Sequence, residues 1–347
     1  MEWTLSCFRF CFNGPLHLSK GRLDYGKSEE FLHSDALVSA IAQVWAEMGH
    51  EDWIPQDAKT GWGFTCSSLF PYQRREKGFS YYFPKPYRKI SAQDAELQDP
   101  TLAKAWKKLG WLDQEAFQQV IAGQVLGAVN GMKEGYYHSA EPLRWGKEQI
   151  MVPFITEMQS RNQVGSELED TKPFYTERIR FSPEGGLFGL FSFETEEIKK
   201  RVIKALDYLQ YSGLGTDRNV GNGRFTIAEE NQIPLEMPTK NHAYGISLSL
   251  LLPESHEEFS SWFPTDGESG YEVIKRGGWI SEPFNQLRRK QIWMIREGSV
   301  LKLPADYKPG QSLGSVADLA PPKLQEKDRK VWRSGSGLIW PASQILF

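Results

Sequence analysis

The sequence predicts an α+β protein of about two domains. Hydrophobic residues make up 40% of the 347-residue chain, which is enough for a substantial core. Strand-like segments with a period of two alternate with helix-like segments with a period near 3.6. A proline-containing stretch, NQIPLEMPTKN, resembles a linker, so we expect one domain over residues 1–232 and a second over residues 240–347.

The first domain begins with a strand and a helix. Residues 3–12, WTLSCFRFCF, alternate as a strand does. Residues 34–49 predict a helix with Ser34 or Asp35 as its N-cap and Gly49 at its end. A long stretch at residues 51–148 then interrupts the pattern, and we interpret it as an insertion.

Two strands, a helix and a final strand complete this domain. FYTERIRFS and GLFGLFSFE flank a turn at Pro183 and Glu184, which predicts a hairpin. Residues 195–213 form an amphipathic helical pattern, and residues 224–230 a strand. The order strand, helix, two strands, helix, strand is that of a ferredoxin-like domain. A second, degenerate series of strands from residue 242 onward predicts a tandem ferredoxin-like fold with an insertion in the first unit.

Charge and cysteine content narrow the class of protein. Lysine and arginine number 41 against 44 aspartate and glutamate, a net charge of −3 that favours no particular partner. Cys7, Cys11 and Cys66 form neither a zinc spacing nor an even disulfide set, so we expect a cytoplasmic protein. No Cys/His cluster or paired acidic motif predicts a metal ion or another cofactor.

A glycine-rich run, GLGTDRNVGNGRF at residues 213–225, follows a helix and precedes a strand. A dinucleotide fingerprint needs the opposite order, and no Gly-Lys-Ser/Thr of a P-loop is present. We expect a loop with positive φ angles whose N–H groups form an anion nest, with arginines contacting phosphates. The residues tolerant of positive φ are Gly213, Gly215, Asn219, Gly221, Asn222 and Gly223. A simple helix cap followed by a tight turn remains the alternative.

This loop resembles the glycine-rich loop of the RAMP superfamily, the ferredoxin-like RNA-binding proteins of CRISPR systems. Together with LHSDALVSAI, FPKP, FYTERIRF, GLFGLF, RGGWI and IREGSV, it makes the chain similar to subunit four of the Csm complex, the type III-A CRISPR effector. The resemblance covers both halves of the chain. Residues 91–170 carry no motif of that family.

The resemblance implies a non-catalytic subunit that binds the repeat-derived 5′ handle of CRISPR RNA (crRNA). It also implies contacts with the large polymerase-like Cas subunit and with a RAMP subunit of the filament. Target RNA would be met only through the complex, in antiviral defence, and no membrane is expected. The candidate RNA-binding residues are His17, Lys20, Gly21, Arg22, His33, Ser34, Lys85, Tyr87, Arg88, Lys89, Gly213, Gly215, Arg218, Asn219, Gly221, Gly223, Arg224, Lys275 and Arg276.

Two basic segments with interleaved aromatic residues support these candidates. Residues 71–90 and 275–298 combine lysine and arginine with tyrosine, phenylalanine and tryptophan, as single-stranded RNA binding requires. Asn219, Asn222 and Ser34 are candidate donors to base edges. The alternative for residues 71–90 is a solvated loop packed on the domain. The alternative for Trp279 and Trp293 is a place in the core or at a partner interface.

Three other functions remain open. The equivalent subunit of a type III-B complex has a similar fold and loop. RAMP relatives also include metal-independent endoribonucleases, for which His17 or His33 would be the general base and Lys20 or Arg22 the electrophilic partner. A general single-stranded nucleic-acid protein would bind RNA without reading the handle.

Overall fold

The computed structural model describes residues 4–20, 26–58, 61–76, 78–87, 107–124, 132–133, 135–139, 153–163, 172–230, 232–236, 242–265, 268–280 and 283–342. The predicted site residues Gly21, Arg22, Arg88 and Lys89 lie outside these ranges. In the first part of the chain the elements are β1 (Ser6–Phe12), α1 (Ser34–Glu47), β2 (Phe64–Cys66), β3 (Phe70–Arg74), β4 (Phe79–Pro84), β5 (Trp111–Asp113), α2 (Gln114–Ile121), β6 (Met132–Lys133), β7 (Tyr136–Tyr137), β8 (Phe154–Gln163), β9 (Lys172–Phe181), β10 (Gly186–Phe193), α3 (Glu196–Ser212) and β11 (Phe225–Glu230). In the second part they are β12 (Tyr244–Ser247), α4 (His256–Trp262), β13 (Val273–Arg276), β14 (Ile292–Ile295), β15 (Val300–Lys302), β16 (Val316–Asp318), α5 (Pro322–Gln325), β17 (Trp332–Ser334) and β18 (Ile339–Ala342).

A large mixed sheet forms the centre of the first half, with strands in the order β11-β1-β10-β3-β4-β5-β7-β6. Helices α1 and α3 pack together against it, and the indole N–H of Trp45 in α1 donates to the carbonyl of Arg201 in α3 at 3.0 Å. The buried positions of α3 recur at helical spacing, as predicted: Val202, Ala205, Leu206 and Leu209. The prediction of a mixed α and β fold is confirmed.

The predicted hairpin of residues 174–194 is wrong. β10 is already paired on both sides, with β1 at one edge and with β2 and β3 at the other. β9 pairs instead with β8, and the two form a separate two-stranded ribbon. The turn at Pro183 and Glu184 therefore carries the chain from one sheet to another. In the order strand, helix, two strands, helix, strand, the second strand is supplied by β3 rather than by β9.

The helix cap was also predicted incorrectly. α1 begins at Ser34 with His33 at the N-cap position, and the His33 side chain forms no cap hydrogen bond, whereas the hydroxyl of Ser68 accepts the backbone N–H of Ser34 at 2.8 Å. The hydroxyl of Ser34 accepts the backbone N–H of Leu250 at 3.0 Å, so it serves a contact with the second half of the chain. Gly49 follows the helix with φ +78°, as its predicted end requires.

The two halves share one hydrophobic core. Leu248 and Trp340 of the second half belong to the same buried cluster as Phe70 and Leu190 of the first. The second half contains a three-stranded sheet in the order β15-β12-β18 and two short ribbons, β13–β14 and β16–β17. The domain boundary at residues 232–240 and the tandem ferredoxin-like organisation stay predictions. In the ranges given above, no helix has the length and apolar character needed to cross a membrane.

Candidate RNA-binding surface

The glycine-rich loop has the backbone that its sequence predicts. Gly213, Gly215, Gly221 and Gly223 have φ angles from +71° to +86°. Asp217 also has a positive φ, of +61°, whereas the two asparagines of the loop do not. A short 3-10 helix, Arg218–Val220, occupies the tip of the loop. The predicted left-handed glycines are confirmed, and Asp217 takes the place expected for an asparagine.

Close backbone contacts explain three of these glycines. A Cβ on Gly223 would lie 1.8 Å from the carbonyl oxygen of Leu214. A Cβ on Gly213 would lie 2.8 Å from the carbonyl oxygen of Asn222, and one on Gly215 would lie 2.5 Å from that of His17. Gly221 has open space in the Cβ direction. The loop is therefore packed at its base and open at its tip.

Most backbone N–H groups of the loop donate to internal acceptors, so few of them are left to form the predicted anion nest. Leu214 N–H donates to Gly223 O, Thr216 N–H to His17 O, and Gly223 N–H to Pro15 O. The N–H groups of Arg218 and Asn219, at the start of the 3-10 helix, have no acceptor in the part of the chain that the structure describes. Because both residues are exposed, these two N–H groups remain available to an external anion.

Two arginines of the loop project into solvent. Arg218 and Arg224 are both exposed, and within the described ranges neither forms an ion pair. Asn219 beside them is exposed, whereas Asn222 is only 3% exposed. Asn222 therefore does not reach a base edge, because its side chain lies inside the loop.

The β8–β9 ribbon reaches this loop and adds charge to it. The guanidinium of Arg161 on β8 binds the Asp217 carboxylate at 3.0 Å. Arg178 on β9 forms no ion pair within the described residues, and its buried Nε has no acceptor among them. Burial lowers the pKa of Arg178, and repulsion from Arg161 lowers it further. The ribbon thus brings two more guanidiniums to the loop.

An exposed aromatic side chain of the ribbon shares a face with these cations. Phe174, paired in register with Arg161 and four residues before Arg178 on β9, is 40% exposed. Tyr175, paired with Ser160, is 59% exposed on the opposite face, because successive strand residues alternate between faces. An exposed aromatic plane beside guanidiniums suits an unstacked base and its neighbouring phosphates. We call this combined surface the loop–ribbon surface, and its members are Arg161, Phe174, Arg178, Arg218, Asn219 and Arg224.

His17 holds the loop and the ribbon together. Its side chain is 1% exposed, and its Nδ1–H donates to the carbonyl of Glu177 on β9 at 2.6 Å. Its own carbonyl accepts the N–H of Thr216 in the glycine loop at 2.9 Å. The prediction that His17 contacts RNA is wrong, because the imidazole is enclosed between two elements that it positions.

His33 and Ser34 lie in the contact between the two halves of the chain and not on a surface. The His33 Nδ1–H donates to Glu297 at 2.8 Å, and the hydroxyl of Ser68 donates to the same carboxylate oxygen. Burial favours a higher pKa for Glu297, but attraction to His33 and these hydrogen bonds lower it. Both predicted RNA contacts are therefore wrong, since His33 is 3% and Ser34 4% exposed.

The remaining predicted cations have different surroundings. Lys20 is exposed, and Lys275 is exposed with its Nζ 5.8 Å from the ring centre of Trp293. Arg276 is not a freely exposed cation, because it binds the buried Asp35 through two hydrogen bonds. Trp293 is 60% exposed and belongs to none of the three buried clusters of the described residues.

Lys85 and Tyr87 line a cleft of about 630 Å³ between the two halves. Burial lowers the pKa of Lys85 and raises that of Tyr87, whose hydroxyl also interacts with Glu272. The aromatic residues that precede them in residues 70–83 do not form a stacking surface. Tyr72, Tyr82 and Phe83 are fully buried in β3 and β4, so the expectation that their rings stack on RNA bases is wrong.

The chain is similar to known proteins of CRISPR systems. Residues 240–342 match the model of the CRISPR Csm4 C-terminal domain. The CRISPR system Cms protein Csm4 of Streptococcus thermophilus is 27% identical over 316 residues, covering 88% of this chain and 89% of the relative. The Thermococcus onnurineus protein of the same description is 24% identical over 273 residues, covering 77% and 79%. Together these matches support a Csm4-type RAMP subunit.

Solved structures that contain Csm4 have the same fold as this chain. A chain of the crystal structure of the Csm3-Csm4 subcomplex in the type III-A CRISPR-Cas interference complex matches with a TM-score of 0.62 and 16% identity, covering 97% of this chain and 99% of that one. A chain of the Csm1-Csm4 cassette in complex with cA4 matches with a TM-score of 0.57 and 18% identity, covering 98% of each.

Sequence patterns did not indicate the ribbon as part of the site. Arg161 lies after the predicted insertion at residues 51–148, in a stretch to which no element was assigned, and Arg178 lies in a predicted sheet strand. Only the fold brings β8 beside the glycine loop. The one available signal was the length of the run at residues 154–163, FITEMQSRNQ, with Arg161 near its end. Of the predicted residues, Arg218, Asn219 and Arg224 lie on the loop–ribbon surface.

Proposed function

We propose that this chain is a non-catalytic, RNA-binding subunit of a type III-A CRISPR interference complex. On this proposal it binds the 5′ handle of crRNA, anchors the large polymerase-like subunit and contacts a RAMP subunit of the filament. The loop–ribbon surface carries the proposal, because four arginines and the exposed ring of Phe174 lie on a loop and a ribbon that the Arg161–Asp217 contact joins, while the molecule as a whole is acidic. Such a local cationic and aromatic surface is the footprint of single-stranded nucleic-acid binding.

The chemistry of the surface suits RNA in two ways. Arg218 and Arg224 can each form bidentate hydrogen bonds with a phosphate, and the N–H groups of Arg218 and Asn219 can add further donors. Phe174 offers a plane on which a base can stack, worth about 1–3 kcal/mol per base in comparable proteins. Reading of the handle sequence would require base-edge contacts, for which exposed Asn219 is the available amide.

The absence of catalysis is part of the proposal. Cleavage by attack of a 2′-hydroxyl needs a general base within hydrogen-bond reach of that hydroxyl. His17 and His33, the two histidines considered for this role, are 1% and 3% exposed and are bonded to Glu177 and Glu297. Incubating the protein with labelled repeat RNA without metal should leave the RNA intact. Cleavage that His17→Ala or His33→Ala abolishes would establish the nuclease alternative instead.

The partners of the proposal come from the similar proteins. Solved structures contain Csm4 with Csm1 and with Csm3, and those pairings suggest the large subunit and a filament subunit as partners of this chain. The cytoplasm is the compartment proposed for the assembly. Co-purification of the tagged chain from its own cell should recover a type III-A large subunit. Recovery of a type III-B large subunit would contradict the assignment.

The RNA-binding step is tested by the affinity of the purified chain for RNA that carries the repeat-derived handle. Each lost phosphate contact should reduce the salt slope of log K by about 0.7. Removing both Arg218 and Arg224 by alanine substitution should therefore reduce it by about 1.4. Lys200→Ala removes one exposed charge from α3 and serves as the control. An unchanged slope in the double variant would exclude the loop from phosphate binding.

A further inference from the structure

Three arginines surround one aspartate beneath the β13–β14 ribbon. The Asp35 carboxylate accepts hydrogen bonds from Arg276 at 2.8 and 2.9 Å and from Arg333 at 2.7 Å. Asp35 is completely buried and Arg333 is 4% exposed, so this pair forms the floor of the cluster. Arg289, the third arginine, interacts electrostatically with all three residues.

Arg289 forms no ion pair with any carboxylate of the described residues. The two oxygens of Asp35 are already bound by the other two guanidiniums, and the buried Nε of Arg289 has no acceptor within the described residues. Burial and repulsion by Arg333 and Arg276, opposed by Asp35, lower the pKa of Arg289 to about 10. Arg289 therefore remains a cation at neutral pH. Three guanidiniums thus surround the single carboxylate of Asp35, and of the described residues Glu297 and Glu29 also attract Arg276 without forming an ion pair with it.

An unpaired and partly buried guanidinium is unfavourable unless a ligand satisfies it. Arg276 is 20% exposed and Arg289 is partly exposed, so an anion can approach both from solvent. A tetrahedral anion with several oxygens can accept from more than one guanidinium at the same time. Phosphate has this geometry and charge.

The surroundings of the cluster favour a phosphate that belongs to RNA. The backbone N–H of Arg289 donates to the carbonyl of Gly278. The guanidinium of the preceding residue, Arg288, lies 4.1 Å from the ring centre of Trp279. Trp279 is 53% exposed and Trp293 is 60% exposed. The Nζ of Lys275 lies 5.8 Å from the ring centre of Trp293. Exposed indoles beside cations provide stacking planes next to a phosphate site.

We propose that Arg276, Arg289 and Arg333 form a binding site for a backbone phosphate of single-stranded RNA, with Arg289 as its principal ligand. The site lies in the second half of the chain and is additional to the loop–ribbon surface. It rests on the proposed RNA-binding function. Asp35 holds two of the guanidiniums in position, and the excess positive charge is neutralised only when the phosphate is bound.

The test uses the full-length chain and a synthetic RNA with the handle sequence. Arg289→Ala should weaken binding about tenfold and reduce the salt slope of log K by about 0.7. Lys302→Ala, which removes an exposed charge from β15, should change neither quantity. Without RNA, Arg289→Ala should be at least as stable to urea as the unaltered chain, because repulsion within the cluster is relieved. If Arg289 had only a structural role, its removal would lower the stability of the protein to urea.

Neutral methylphosphonate linkages placed one at a time along the RNA identify the ligand. One linkage should weaken binding to the unaltered chain and have no further effect in Arg289→Ala. The unaltered chain and Arg289→Ala could instead bind the RNA with the same affinity and the same salt slope of log K. That result would rule out the phosphate site at Arg289 and leave the proposed function standing. If the chain does not bind the RNA but inorganic phosphate raises its melting temperature through Arg289, both the RNA ligand and the proposed function are wrong.

Discussion

The carboxylate of Asp35, in the first turn of α1, binds the guanidinium of Arg276 on β13, which is 241 residues away in the sequence. Arg333 on β17 completes the cluster through a hydrogen bond of 2.7 Å to the same carboxylate. Two elements of the second half are thus attached to the first helix by one buried anion. This ionic contact, with the shared hydrophobic core, joins the two halves of the molecule.

Removal of the Asp35 carboxylate should destabilise the protein strongly. Asp35→Ala leaves two buried guanidiniums without their acceptor, and breaking such a buried pair costs about 3–5 kcal/mol. Urea unfolding followed by tryptophan fluorescence measures the loss. Asp306→Ala removes an exposed carboxylate and should change stability by less than about 0.5 kcal/mol. A similarly small effect of Asp35→Ala would contradict the role assigned to the cluster.

Stability should fall with acid through Asp35 and Glu297. Burial alone would raise the pKa of both carboxyls. Attraction to Arg276 and Arg333 outweighs burial at Asp35, and attraction to His33 outweighs it at Glu297, so both pKa values lie below their usual range. Their stabilisation is therefore complete above the unfolded pKa of about 4 and is lost as pH falls below it. Glu297→Gln should flatten the dependence of the unfolding free energy on pH between about 5 and 3. An unchanged slope would show that Glu297 does not contribute.

Two glycines of the loop should differ sharply in their tolerance of alanine. Gly221→Ala places a side chain at φ +86° in open space, so we expect a loss of about 1–2 kcal/mol from backbone strain alone. Gly223→Ala adds a contact of 1.8 Å with a backbone carbonyl, so we expect a loss of about 3 kcal/mol or more. Thermal unfolding compares the two variants. Equal losses would mean that the loop base is less tightly packed than its geometry indicates.

Asp217→Asn should strengthen RNA binding. Asparagine tolerates the φ of +61° at this position, so the loop should keep its conformation. The substitution removes a negative charge from the loop–ribbon surface and frees Arg161, which should steepen the salt slope by about 0.7. The lost pair is partly exposed, so stability should change by less than about 1 kcal/mol. Weaker RNA binding by a stable variant would place the RNA elsewhere.

The sequence predicts those parts of the fold that local patterns determine. The apolar stripe of α3, the strand β1 and the left-handed glycines of the loop depend on neighbouring residues, and the structure contains all three. The turn at Pro183 suggested a hairpin, because a local turn signal does not reveal that β10 has partners on both edges. For the same reason the basic and aromatic residues 71–90 were interpreted as an RNA-binding segment, although Tyr72 and Tyr82 are buried.

The candidate site was less predictable than the fold. Histidines and helix-cap residues are used both in binding and in packing, and His33 and Ser34 proved to be buried contacts between the halves. The pairing of Asp35 with Arg333 spans 298 residues, and that of Arg161 with Asp217 joins a ribbon to a loop. No local pattern contains such information, because each partner alone is an ordinary charged residue.

Crosslinking of crRNA in the purified complex tests the central claim most directly. Mapping the attached peptides should place the 5′ handle on residues 213–225 and on the β8–β9 ribbon of this chain, and scrambling the handle sequence should weaken both crosslinks. Crosslinks of the handle that are confined to the filament subunits would contradict the account.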